Sequence, residues 1–521
     1  MKVLLVTGRL AENMVKNYTQ QIGVETKVVV LNVPVAAFLN SETILAGLKN
    51  YNLSDIDMIL TPGLSRGDTT IISNTLGIPT FKGPRYIADL PTVFEVINKV
   101  SLSTTMPACD LLRNLITEKA LKEIEKIERN SHDLLKQPGS MLIKNLAIGK
   151  DFPMRVMAEI VDAALMSDED IQFLAKKFAT QGAHIIDVGM IAGKSSPENA
   201  IRAVKAVKAV VDLPVSIDTL DPEEIKAAVS AGVDLILSLD AGNIDHLATF
   251  ATDVPVVVIP TNQREGYFPK KSPERIQLIE NLIAKAKKLG FNKIIADLIL
   301  EPLDVLESFV AFKEFGARNP DVPLFVGVAN VTELFDADSV GINALLACLS
   351  AEVNAGIMLA TEKSPKARGT VKEEVIAAKM MYLAKKRLSV PKDLGVDMLI
   401  LKDKRSREEP YSDALEKKSK VLFATGETVS SELDRIGMFK ITLDRKNNTI
   451  VALLFTDILM DEPVSIIKGK TAEDMYTKII QLGLVTRLDH AAYLGRELVK
   501  AEVCLQIDKE YIQDISLFKK S

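Results

Sequence analysis

The sequence predicts an α/β protein whose middle is a closed (β/α)8 TIM barrel, flanked by an N-terminal doubly wound α/β domain and a small C-terminal α+β domain. Three observations carry this. Between residues 154 and 388, eight apolar runs of strand length alternate with helical stretches without a break, a span that matches the ~250 residues typical of such a barrel. The runs are continuous rather than alternating, as expected of parallel strands buried on both faces. Several end in an acid: Asp187 in HIIDVG, Asp218 in PVSIDT and Asp297 after NKIIA. In a closed barrel, residues just past the strand ends converge on one mouth, where the active sites of this fold form.

The domains follow in order as 1–140, 145–390 and 421–521, with a charged linker at 391–420. In the first, MKVLLVTG, TKVVVLN and DMILTPG read as buried parallel strands, with helices at Ala11–Gln21 and Ser41–Lys49. The Gly-rich turn TPGLSRGD (61–68) has the composition of a loop that meets an anion at a helix N-terminus. Thr117–Asn130 reads as a solvated connecting helix. The barrel strands are MRVMAEIV, HIIDV, PVSI, DLILS, PVVVI, KIIA, PLFVG and AGIMLA. Helices begin near Asp168, Pro197, Pro222, Ile244, Pro273, Pro302, Asp338 and Val371, proline being favoured in the first turn. In the last domain, FKITLDRKNNTIVALLF is a hairpin turning at Arg445–Asn448, followed by two helices.

Bulk composition excludes several classes. At 521 residues, with 47% hydrophobic and 26% charged residues, the chain suits soluble domains with substantial cores. A net charge of −5 argues against a non-specific nucleic-acid binder. Cys109, Cys348 and Cys504 show no CxxC spacing, so they predict buried thiols in a reducing cytoplasm rather than disulfides or zinc. No apolar run approaches the ~20 residues of a membrane span, and the N-terminus reads as a strand ending at Gly8 rather than a signal peptide. The absence of tryptophan beside abundant Ile, Val, Leu and Lys points toward an archaeal or thermophilic source.

The residues ending the barrel strands are Asp162, Asp187, Asp218, Ser238 with Asp240, Thr261 with Asn262, Asp297, Asn330, and Thr361 with Glu362. Nearly every loop offers an acceptor or an amide. None offers a histidine: His184 lies early in the second strand, and His132, His246 and His490 fall on helices or linkers. A Ser–His–Asp hydrolase and a His-rich metal site are therefore disfavoured. Mg2+ held by carboxylates stays open, with Asp162 a candidate ligand, because hard cations take oxygen donors. Acids and amides in an apolar slot also suit a flat heterocycle with a guanidine-like edge, which a carboxylate grips through two parallel N–H bonds. A pterin has that edge. The competing reading makes each acid the N-cap of its following helix.

GAHIIDVG (182–189), LPVSIDTLDPEEIKAAVSAGVDLI (213–236) and PLFVG (323–327) resemble the pterin-binding barrel superfamily, especially dihydropteroate synthase. The resemblance implies that Asp187, Asp218 and Asp297 hold a pterin. With its flanking domains, HAAYLGRELVKAEVCL (490–505) among them, the chain resembles an archaeal group of dihydropteroate synthase-related proteins. That family's Asn–Thr–Pro–Asp–Ser–Phe loop is replaced here by DAALMSDED, and its second loop by MIAGKSSPEN, which keeps Lys194, Ser195 and Ser196. The asparagine after the fourth strand gives way to Leu237–Ser238, and the later Ser–Arg–Lys and Arg–x–His to Ala329–Val331 and Leu359–Thr361. GVANVT (327–332) is instead similar to a run in methyltetrahydropterin:corrinoid methyltransferases, which implies Asn330 beside the reacting edge of the ring.

These readings predict a transferase that condenses a dihydropterin diphosphate with an arylamine in folate-like or methanopterin biosynthesis. Asp187, Asp218 and Asp297 are expected to bind the ring, with Ser238, Asp240 and Asp162 at the same mouth. Lys194, Ser195, Lys363 and Arg368 are expected on the diphosphate or acceptor, with Asn330 and Lys363 catalytic and Mg2+ a possible aid. A homodimer is expected from the resemblance. The alternatives are methyl transfer to a corrinoid protein partner and a non-catalytic pterin carrier.

Overall fold

The computed structural model describes residues 1–20, 22–97, 100–404, 416–417, 419–424 and 433–518. They form two compact units: 1–126 with 393–420, and 127–392 with 421–521. The first boundary thus falls within the long helix Ala108–Arg129 rather than near 140. Of the segment expected as a charged linker, the described residues from Asp393 to Lys404 group with the first unit, where Thr117 Oγ1 donates to the Gly395 carbonyl at 2.7 Å, and 405–415 lie outside the described residues.

The first unit holds a parallel sheet of order β2-β1-β3-β4: β1 Lys2–Gly8, β2 Glu25–Leu31, β3 Met58–Thr61 and β4 Thr80–Lys82. The fourth strand, TFK, is too short to stand out in the sequence. The loop expected to meet an anion closes on itself. Ser65 Oγ donates to the Pro62 carbonyl at 2.6 Å, the buried Lys82 ammonium donates to the Ser65 carbonyl, and Asp68 accepts from the Thr70 amide at 2.9 Å. A carboxylate of the chain's own already occupies the helix start that an anion would use. The helix Ala108–Arg129 also buries Ala108, Leu112, Ala120 and Ile124, so it is packed along one face rather than solvated all round.

In the second unit eight parallel strands close into a barrel: β7 Arg155–Ile160, β8 Ile185–Gly189, β9 Val215–Asp218, β10 Leu235–Leu239, β11 Val256–Val258, β12 Ile294–Ala296, β13 Leu324–Val326 and β14 Ala355–Thr361. The helices start within three residues of the expected places, with proline in the first turn of Pro197–Lys208, Pro222–Ser230 and Ser272–Lys288. Before the barrel comes a hairpin that the sequence reading did not separate, β5 Met141–Ile143 and β6 Leu146–Ile148. Its Ile143 and Ile148 share one buried cluster with Met157, Ile185, Leu235, Val257, Ile295, Phe325 and Ile357 from the strands. The hairpin therefore extends the barrel's apolar filling beyond the N-terminal ends of the strands, and polar chemistry is left to the opposite mouth.

The last domain is an antiparallel sheet of β15 Met438–Asp444, β16 Thr449–Phe455 and β17 Ser465–Gly469, covered by helices Ala472–Gln481 and Leu488–Gln506. The expected hairpin and both helices are present; β17 is an addition. Cys504 is buried, while Cys109 and Cys348 are only partly so. No described helix is long and apolar enough to cross a membrane.

Candidate functional site

Side chains alternate across a strand, so the residue two beyond each core position faces the same interior, nearer the mouth. Beyond Met157 this is Glu159, beyond Ile185 it is Asp187, beyond Ser216 it is Asp218, and beyond Ile295 it is Asp297. Glu159, Asp187 and Asp218 stand on adjacent strands, and one carboxylate oxygen of each lies within 4.8 Å of the other two. Asp187 lies inside β8 rather than past its end, and it is fully buried. Its Oδ1 accepts from Ser216 Oγ, itself buried, while its Oδ2 has no donor among the described residues. A buried acceptor left without a donor costs about 1–3 kcal/mol. A ligand that brings N–H groups removes that cost.

Glu159 is the member that sequence reading missed. It comes three residues before Asp162, which ends the run and drew the attention; the inward period of two marks Glu159 instead. Gly189 makes the place for it, because a Cβ there would collide with Glu159 Oε1. Helix capping does not account for the acids. After β9 the cap is Asp221, whose Oδ1 accepts from the Glu223 and Glu224 amides, and this leaves Asp218 to the mouth.

Burial and mutual repulsion push these carboxyls up. Glu159 is raised to about 8, by burial first and then by Asp218 and Asp162, with Lys363 opposing. Asp187 lies well above the carboxylate range through burial and its two acidic neighbours, with the Ser216 hydroxyl and the Val188 amide opposing. Burial lifts Asp218 to about 6. Asp297 is lifted to about 7 by burial and by Asp218, with the Ile299 amide and Arg275 opposing. Its Oδ1 accepts from that amide at 2.8 Å. Near neutral pH the cluster holds protons that incoming N–H donors would displace. Its oxygens are also hard donors suited to a divalent cation.

The other expected site residues divide. Asp162, in a left-handed backbone conformation, pairs with Lys363 at 2.7 Å, joining the first and last loops of the mouth. It stands outside the carboxylate triangle. Asp240, expected at the mouth, is turned to its own loop: Oδ1 accepts from the Gly242 and Asn243 amides, and Oδ2 from Thr261 Oγ1 and the Gln263 amide. Ser238 follows a cis peptide bond and gives its carbonyl to Asn243. Asn330 donates from Nδ2 to the Leu300 carbonyl at 3.1 Å, which ties its amide to the neighbouring loop. Lys194 and Ser195 are exposed in the loop after β8. Arg368 lies 3.7 Å from Glu510 and so faces the C-terminal domain, not the triangle; Lys366 pairs with Asp336. His184 takes the Val156 amide on Nδ1 and is held neutral by burial, its pKa lowered to about 3.

Comparison with known proteins places this geometry. Residues 160–346 match the family model described as "Pterin binding enzyme", 433–514 match "PterinBD-DUF4346", and 1–85 match "Family of unknown function (DUF6513)". Across 532 aligned residues the chain is 40% identical to "Uncharacterized protein MJ0107" of Methanocaldococcus jannaschii, covering 99% of each. The chain belongs to that protein's family. Its barrel is related to the pterin-binding enzymes, dihydropteroate synthase among them. A "Dihydropteroate synthase" of Streptococcus pyogenes is 35% identical over 98 residues, 16% of this chain and 37% of that protein. Among solved structures, the Xanthomonas albilineans dihydropteroate synthase in complex with 7,8-dihydropteroate is 19% identical at a TM-score of 0.39, covering 49% of this chain and 100% of that one.

Proposed function

We propose that the chain is a pterin-dependent transferase that joins a reduced pterin, carried in as its diphosphate, to an arylamine in folate-like or methanopterin biosynthesis. The carrying observation is the Asp187 oxygen, buried in the mouth with no donor, beside Asp218 and Glu159. A 2-amino-pyrimidinone edge offers parallel N–H groups to such acceptors, and the apolar strands around them suit the faces of the ring. The amine nitrogen would attack the exocyclic methylene carbon as the carbon–oxygen bond to diphosphate breaks, and the amine proton would pass to solvent. Lys194 and Ser195, exposed beside the mouth, are the groups we assign to the leaving diphosphate. Lys363 would reach it only by leaving Asp162. Mg2+, when bound, supplies charge neutralisation on the leaving group. The donors at hand for it are Glu159, Asp187 and Asp218, so cation and ring edge compete for one triangle. A homodimer in the cytoplasm goes with this reading.

One observation favours a second reading, methyl transfer from a methyltetrahydropterin to a corrinoid protein. Lys363 and Arg368, two of the cations the sequence offers to a diphosphate, are paired with Asp162 and Glu510, which leaves Lys194 alone of the expected cations for that role. Titrating the protein with dihydropterin diphosphate, 5-methyltetrahydropterin and pterin, each with and without Mg2+, separates the two. Tightest binding of the diphosphate supports condensation, and preference for the N5-methyl form supports methyl transfer. Failure of all three to bind overturns both.

A further inference from the structure

The loop after β12 is held by an arginine from the preceding helix. Arg275, on the helix Ser272–Lys288, is fully buried. Its Nη1 donates to the Ile299 carbonyl at 2.9 Å, the Leu298 carbonyl at 3.4 Å and Ser308 Oγ at 3.2 Å. Nη2 pairs with Glu301 at 2.5 Å and reaches the Lys270 carbonyl, while Nε takes the Pro269 carbonyl at 3.0 Å. The Phe268 ring covers the guanidinium at 4.7 Å.

These contacts surround a backbone that would not keep its shape alone. Ile299 has φ +64, a left-handed conformation that a β-branched residue rarely adopts. Its amide is the donor to Asp297 Oδ1, and its carbonyl is the acceptor for Arg275. The strained peptide thus links the buried cation to the acid at the mouth. Asn330 takes the next carbonyl, Leu300, and Ser308 Oγ takes the Glu301 amide at 3.1 Å. Inward-pointing carbonyls of a loop cannot pair with strand or helix neighbours. A planar fork of five N–H donors can serve several of them at once; an ammonium, a point donor, cannot.

We propose that Arg275 is a positioning residue of the pterin site, holding residues 298–301 in the turn that fixes Asp297 at the mouth. This rests on the pterin reading above. A residue that only supported the fold would change stability and leave the acid as it is. The test compares wild type with Arg275→Lys and with Ser308→Ala, a milder cut in the same network. Three readouts are followed: melting temperature, calorimetric affinity for 7,8-dihydropterin, and the titration of the Asp297 carboxyl by carbon-13 NMR. Arg275→Lys is expected to lower affinity tenfold or more and to move the Asp297 midpoint upward, as the turn relaxes and the Ile299 amide leaves the carboxylate. Ser308→Ala should do both to a smaller extent. A lowered melting temperature with wild-type affinity and an unmoved Asp297 titration overturns the proposal. If wild type itself fails to bind dihydropterin, the pterin reading falls, and the Asp297 titration alone decides whether Arg275 sets the acid.

Discussion

Glu159→Gln tests the electrostatics of the mouth without any ligand. The glutamine keeps the shape and cannot ionise. Glu159 is raised from 4.5 to about 8 in the folded protein. At 1.36 kcal/mol per pKa unit, ionising it in place costs about 5 kcal/mol relative to the unfolded chain. The sign follows from linkage. A carboxyl with a raised folded pKa lends its full stability below the unfolded value near 4.5, and that stability is lost as pH rises toward about 8. Burial is the larger cause, and the buried glutamine amide keeps part of that cost, so the exchange recovers roughly half, about 2–3 kcal/mol. For a barrel of this size that is a melting-temperature gain of about 4–10 °C. Scanning calorimetry of both proteins at pH 4, 6, 8 and 9 gives the comparison. The variant should match wild type at pH 4 and exceed it increasingly up to pH 8. Parallel profiles, or a variant less stable at pH 8, would refute the argument.

Two further predictions follow from buried groups. Glu374, on the helix Thr370–Arg387, is fully buried, has neither oxygen bonded among the described residues, and has a raised pKa, chiefly from burial. Glu374→Met should stabilise the protein by about 1–3 kcal/mol at pH 8 and by less at pH 4; a loss of stability at pH 8 would mean that an unseen partner holds the acid. Gly189→Ala should push the Glu159 carboxylate, the far end of a flexible side chain, from its place and weaken pterin binding with little change in stability, as calorimetry and chemical denaturation would read. Wild-type pterin affinity would deny the close approach.

The barrel was legible because its strands are unbroken apolar runs, each followed by helix-start signals such as Pro197 and Pro222. Asp187 and Asp218 were legible because an acid in or at the end of a buried strand is conspicuous. Glu159 was not, since the run MRVMAEIV continues past it and only the inward alternation singles it out. The β5–β6 hairpin escaped because three-residue strands leave too little pattern, although Lys144 in its turn has φ +53. Asp240 and Arg368 looked like mouth residues in the sequence because their partners are tertiary: Thr261 and Gln263 for one, Glu510 for the other. Arg275 reads as an ordinary helix arginine until the loop that it holds is placed beside it.

The most direct test of the pterin site is calorimetric titration of wild type and Asp218→Asn with 6-hydroxymethyl-7,8-dihydropterin. The asparagine would turn an N–H donor of its own toward the ring edge, so affinity should fall by about 2–5 kcal/mol. Equal affinity in the two proteins would contradict the account.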